Sequence, residues 1–287
     1  MYVIAGATGR VGSAAARTLL TAGAQVRVLV RRPSDAERWE AQGAEARVVS
    51  LEDRPALTEA LQGCAGLFAL LPFDLTVDDL DDHADRLIAS VTGAVAGAGV
   101  PHVVMLSSGG ADLAEGTGPI TGLHRLEEAL RATGTTLTAL RSGHFQEKVG
   151  DVIDVARQTG VYPVFAASAD VPVPMVATAE LGALAAAALR TPPAASECVD
   201  VVGPAYSERA IAELLGKALG QDLPITTLPE EAWARALTEA GFRPHIAESL
   251  AELYRADERG LLAPRGDRIV RAHSPVETSI EHLLALY

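Results

Sequence analysis

The apolar positions in the first half of the chain follow two rhythms. Near-continuous apolar runs fall at residues 2–5, 25–30, 46–49, 67–71, 102–106 and 136–140. Such runs mark strands buried on both faces of a parallel sheet. Between them apolar residues recur every three or four positions. Residues 10–22 form one such segment. Ala84, Leu87, Ile88, Val91 and Val95 mark a second, with Asp78 and Asp79 suited to the positive end of its helix dipole, and Leu123, Leu126 and Leu130 mark a third. This alternation predicts an α/β fold built on a doubly wound parallel sheet.

After Gly143 the rhythm changes. Helices are expected over 149–159, 180–189, 207–219, 229–240, 245–257 and 275–285, and a strand over 197–202. The prolines in "GVYPVFAASADVPVPMV" demote that stretch to edge strand and loop. "LPITTLP" reads as an extended link and the terminal "EHLLALY" as an amphipathic docking helix. The expected plan is a sheet domain over 1–150, rejoined by 176–203. A smaller, mostly helical lobe from 151–175 and 204–287 covers its ligand edge.

Composition narrows the partners. A net charge of −13 argues against a nucleic-acid partner, because phosphate neutralisation needs a basic face. No run of about 18 or more uncharged apolar residues is present, so no membrane partner is expected. There is no basic leader ahead of the first strand, and Cys64 and Cys198 have neither metal-ligand nor redox spacing. A cytoplasmic location and no metal are the expectations. A small-molecule substrate is the expected partner, and the sequence leaves a homodimer open.

The candidate chemistry begins at "VIAGATGRVGSAAARTLLTAG". Gly6, Gly9 and Gly12 follow the first strand and open the first helix. The first permits a sharp turn, the second a close approach of the backbone to a pyrophosphate, and the third tight helix–sheet packing. The helix N-terminus then offers free amides and positive charge to an anion. A dinucleotide in a Rossmann-type sheet is the expected ligand, contacted by Thr8, Arg10 and Val11 within the loop. Leu71 and Pro72 after the fourth strand and Ser107 after the fifth extend this set. An NAD site places Asp or Glu at the end of the second strand. This chain has "VLVRRPS", and Arg31 and Arg32 there suit a 2′-phosphate. NADP(H) is expected over NAD(H).

"GATGRVG" resembles the fingerprint of extended and atypical short-chain dehydrogenase/reductases. "HVVMLSSGGAD" and "LEEALRATGTTLTALRSGHFQEK" are similar to the NmrA-like pattern, whose strand ends L-R-x-G-x-F-x-E; those positions here are Leu140, Arg141, Gly143, Phe145 and Glu147. The resemblance covers about residues 1–205, the later helices fitting only loosely. It implies an NAD(P)H-binding fold shared by quinone and enone reductases, isoflavone-reductase-like enzymes and redox-sensing regulators. It also suggests His124 as a counterpart of the subgroup's common histidine. The Tyr-x-x-x-Lys pair of typical short-chain reductases is missing: His144 stands four residues before Lys148, and Glu213 four before Lys217.

Ligands of open α/β sheets sit beyond the carboxyl ends of the strands. That criterion selects Phe73, Ser107, Ser108, His144 and Phe145. Ser107 or Ser108 would bond a carbonyl or the nicotinamide amide, and His144 would give a proton near neutral pH. Phe73, Phe145 and Tyr162 would form an aromatic wall, with Ser108 beside it. Arg141 is expected to tie sheet to lobe, and "DDLDDHADR" to be a solvated acidic face. The leading expectation is an NADPH-dependent oxidoreductase passing hydride to a quinone or enone. A nucleotide-sensing regulator without turnover and a specialised-metabolite biosynthetic enzyme are the alternatives.

Overall fold

The computed structural model describes residues 1–285; Leu286 and Tyr287 of the expected docking helix lie outside the described residues. The chain begins β1 (Tyr2–Ile4), α1 (Arg10–Thr21), β2 (Val26–Val30), α2 (Pro33–Glu40), β3 (Glu45–Val48), α3 (Arg54–Leu61), β4 (Gly66–Ala69), α4 (Leu80–Ala98), β5 (His102–Ser108), α5 (Ile120–Ala132) and β6 (Thr136–Ser142). It continues β7 (His144–Phe145), α6 (Gly150–Thr159), β8 (Tyr162–Val164), β9 (Val173–Val176), α7 (Thr178–Arg190), β10 (Glu197–Val202), β11 (Ala205–Tyr206) and α8 (Glu208–Leu219). Last come β12 (Ile225–Thr227), α9 (Trp233–Glu239), α10 (Pro244–Glu258), β13 (Arg268–Arg271) and α11 (Val276–Leu284).

Eight strands make one parallel sheet in the order β13-β10-β6-β5-β4-β1-β2-β3. The chain winds one way from β1 to β3 and the other from β4 onward, so the switch in direction lies between β1 and β4. Side chains alternate between the faces. Val3, Leu67, Val103 and Met105 join Leu57, Leu61, Leu87, Val91, Leu126 and Leu130 of α3, α4 and α5 on one side. Ile4, Phe68 and Val104 join Ala15 and Leu19 of α1 and Leu181 and Ala185 of α7 on the other. Because both faces are covered, these strands read as continuous apolar runs. A third core, with Ile153, Tyr162, Val164, Ile211, Leu215 and Ile280, fills the lobe.

Local chemistry fixes the helix ends. The Asp79 carboxylate accepts from the Asp81 and Asp82 amides at 2.9 and 3.0 Å, capping α4, which stops at Gly99 with φ 62°. Ser207 caps α8 by accepting from the Ala210 amide at 3.2 Å. Among the described residues no helix is long and apolar enough to cross a membrane.

Four expectations change. Residues 268–271, assigned to the lobe, return to the sheet as β13 beside β10. Their sequence, RIVR, carries no apolar run because an edge strand is largely exposed. "LPITTLP" is more than a link, since β12 pairs in parallel with β8. The helix expected over 229–240 begins as a 3₁₀ turn, Glu230–Ala232, before α9. Strands β5 and β6 run two residues further than their apolar pattern. They place Ser107 opposite Arg141 and Ser108 opposite Ser142 inside the sheet. Ser107 and Arg141 tolerate that position because both bond to the buried Glu127, as described below.

Candidate active site

The glycine loop has the geometry of an anion cradle. Gly6 adopts φ 64°, and its amide-bonded turn closes from Gly9 N–H to the Gly6 carbonyl at 2.9 Å. A methyl group on Gly12 would run into that same carbonyl oxygen, and one on Gly6 into the Leu70 side chain. Gly9 is the N-cap of α1 and supplies no side-chain cap, so the amides of the first turn point outward with the helix dipole behind them. Thr8, Gly9 and Arg10 are exposed, whereas the Val11 side chain is buried in the core and offers only its amide.

At the end of β2 the two guanidiniums differ. Arg32 is committed to Asp35, its Nε and Nη2 donating to the carboxylate at 2.8 and 3.3 Å. That hydrogen bond holds the Asp35 carboxyl below its usual range. Arg31 is exposed, and no side-chain hydrogen bond or ion pair ties it down among the described residues. Leu71 is buried and Pro72 half-buried where the chain leaves β4.

Ser107 spends its one side-chain donor inside the fold. Its hydroxyl donates to Glu127 at 2.6 Å, and Glu127 in turn takes Arg141 Nε at 3.0 Å and Nη2 at 2.7 Å. Ser107, Glu127 and Arg141 are all buried. The Cys198 thiol lies against Glu127 at 3.5 Å, and burial followed by that negative charge pushes it up to about 11. Arg141 therefore binds α5 rather than the lobe. The link onward runs through Asp112, 4.0 Å from Arg141 and 3.2 Å from Arg265.

Among the described residues, α10 borders a larger and a smaller cavity. The larger, about 610 Å³, is bounded by Leu71, Pro72 and Phe73 after β4, Arg125 of α5, and Glu252 and Arg255 of α10. The acidic stretch ahead of it is a solvated face, as expected: its aspartates are all exposed, and Asp81 and Asp85 pair with Arg125, and Asp78 with Arg243, at the surface. The smaller, about 290 Å³, opens at the ends of β6 and β10 and is lined by Arg141, Gly143, His144, Asp200 and Asp257. There His144 Nε2 meets the Asp257 carboxylate at 2.9 Å.

The remaining candidates are scattered. His124 is held by the Ala111 carbonyl, 2.9 Å from Nδ1, and lines neither cavity. Ser108 is half-buried beside Gly109, which borders the smaller cavity. Phe73 is exposed at the larger one, while Phe145 packs against the core on the α1 side. Tyr162 does not join an aromatic wall. It is buried in the lobe core with its hydroxyl on Glu208 at 2.8 Å, and burial raises its phenol well above the usual range. Glu127, Asp112 and Asp257 were not singled out in the sequence. Glu127 stands in the quoted "LEEAL", but nothing local marks Asp257, whose partner is 113 residues away.

The NmrA-like family model matches residues 2–279. A curated NAD(P)H azoreductase from Xenophilus azovorans is 26% identical over 255 residues, covering 88% of this chain and 86% of the relative. Quinone oxidoreductase 2 of Escherichia coli is 27% identical over 259 residues, with the same coverage of 88% and 86%. Among solved structures, the triphenylmethane reductase of Citrobacter sp. complexed with NADP(H) superposes with a TM-score of 0.82 at 22% identity, over 99% of this chain and 100% of that one.

Proposed function

This chain belongs to the NmrA-like family, and on that premise we propose that it is an NADPH-dependent oxidoreductase passing hydride to a small conjugated acceptor of the quinone or enone type. The observation that carries this reading is the pairing of two features at adjacent strand ends. One is the uncapped N-terminus of α1, crowded so that only glycine fits at position 12. The other is the uncommitted Arg31 where an NAD site would carry a carboxylate. The relatives named for NAD(P)H and quinone chemistry support it.

The residues divide the work. The amides of Arg10, Val11 and Gly12 hold the pyrophosphate, and Arg31 holds the 2′-phosphate. Leu71, Pro72 and Ser108, at the ends of β4 and β5, border the other half of the coenzyme and keep water from it. The bound coenzyme supplies the hydride. His144 supplies a proton at the seam between sheet and lobe. A quinone suits a site without Tyr-x-x-x-Lys, because its reduced oxygen is a weak base and asks little of an acid.

The test is calorimetric titration with NADPH and NADH, followed by coenzyme absorbance in the presence of quinones and enones. NADPH is expected to bind more tightly and to be oxidised by at least one acceptor. Tight binding with no oxidation by any acceptor would make the protein a nucleotide sensor. Binding of neither nucleotide would end this reading.

A further inference from the structure

The His144–Asp257 contact joins two parts of the chain 113 residues apart. His144 leaves the sheet in β7, and Asp257 lies in the last turn of α10 in the lobe. Both are about a quarter to a third exposed, at 25% and 30%, and both line the 290 Å³ cavity. An ionised carboxylate can only accept, so Nε2 must be the donor of the 2.9 Å bond. That leaves Nδ1 as the ring atom free to meet a ligand. Asp257 is itself well placed to hold still, because α10 is anchored by Tyr254, stacked edge-on to Trp233 at 5.9 Å and tilted against Phe165 at 5.5 Å. The other charged groups on the cavity are spoken for: Arg141 by Glu127, and Asp200 by the Gly266 amide at 2.5 Å.

We propose that Asp257 is a positioning residue. It grips His144 through Nε2 at the mouth of the smaller cavity, so that Nδ1 faces an acceptor's oxygen there and delivers the proton of the reduction. The proposal rests on the functional reading above and adds a residue from the lobe to it. The acceptor gains a hydride, with both bonding electrons, from the bound coenzyme. The negative charge this leaves on the acceptor's oxygen is met by the proton on Nδ1, forming an O–H bond. The imidazolium becomes neutral imidazole and regains its proton from water. The lobe thus completes the chemistry that the missing Tyr-x-x-x-Lys pair performs in other reductases.

The contact itself is tested without coenzyme. Proton NMR of the whole protein is expected to show a downfield, slowly exchanging imidazole N–H that vanishes in both His144→Leu and Asp257→Leu. In turnover of an enone, His144→Leu is expected to lower kcat by about 100-fold or more, the usual worth of a positioned acid. Asp257→Leu should lower it by at least roughly tenfold for the same reason. Asp257→Asn keeps an acceptor oxygen at the same reach and should retain more activity than Asp257→Leu. The double variant should be no slower than His144→Leu alone, because Asp257 acts only through the ring. NADPH affinity, read by calorimetry, is expected to stay at the wild-type value in all of them. A simple brace between lobe and sheet would lower Tm and leave kcat of the folded protein intact. That result, or additive losses in the double variant, overturns the proposal. Failure of the wild type to bind NADPH overturns the functional reading instead, and the N–H signal distinguishes the two.

Discussion

Arg31 and Arg32 are adjacent in sequence and unequal in structure. Arg32 is neutralised by Asp35, and Arg31 is left to face solvent. Arg31→Ala should therefore cost about 1.5–3 kcal/mol of NADPH affinity, the worth of hydrogen bonds to a charged group. NADH affinity should hardly change. Arg32→Ala should lose less NADPH affinity than Arg31→Ala, and equal losses in calorimetry would refute the distinction. Glu127 has a different kind of weight. Removing it strands the Arg141 guanidinium, which is only 8% exposed, without its carboxylate. Breaking a buried pair from one side costs about 3–5 kcal/mol, so Glu127→Ala should shift urea unfolding by that order. At this scale the sequence located the tight turn at Gly6 and the crowded position of Gly12, whose constraint is local backbone geometry. It pointed less well to Ser107 and Tyr162. Their partners, Glu127 and Glu208, arrive from 20 and 46 residues away, and no local pattern reports a hydrogen bond of that span.

Elements were legible where burial is two-sided or where a helix has an apolar stripe. The strands β1, β2, β4, β5 and β6 and the helices α1, α4 and α5 fall within a few residues of their pattern. Strand β13 was invisible because it lies at the edge and shows Arg268, Ile269 and Arg271 to solvent. The close approach of α1 and α7 was equally hidden. Gly182 sits where any side chain would press on Ala14 and lie 2.7 Å from the Val11 carbonyl oxygen. Gly182→Ala should cost about 1–3 kcal/mol through overpacking, measured by thermal unfolding. Because α1 opens at the glycine turn that we propose holds the coenzyme, the same change should weaken NADPH binding. An unchanged affinity would show that the helix can shift without moving its N-terminus.

Acid should act on the whole molecule in two steps. His102, at the start of β5, is buried with Nε2 3.0 Å from the Thr138 hydroxyl and no partner for Nδ1. Burial pushes its ring below the ordinary value of 6.5. The folded state then takes up its proton later than the unfolded one does. Stability from this residue is full above about pH 6.5 and declines as pH falls below it. His102→Gln should flatten that limb of a Tm–pH curve, and an unaltered limb would exclude His102 as its source. A second loss follows further into acid. The carboxyls of Glu197, bonded to Arg268, and Asp35, bonded to Arg32, are held below their usual range, so their contribution disappears only as pH falls through those lowered values.

The sequence by itself determined the doubly wound sheet, the glycine turn that opens α1 and the basic end of β2. Each follows from periodicity or backbone freedom within a stretch of about twenty residues. Only the tertiary structure decided which groups are available for chemistry. It consumed Ser107 in a buried ion-pair network, turned Tyr162 into lobe core, committed Arg32 to Asp35, and brought Asp257 to His144. The reason is physical: a side chain's availability depends on every polar group that folding brings within about 3 Å of it, and those neighbours come from anywhere along the chain.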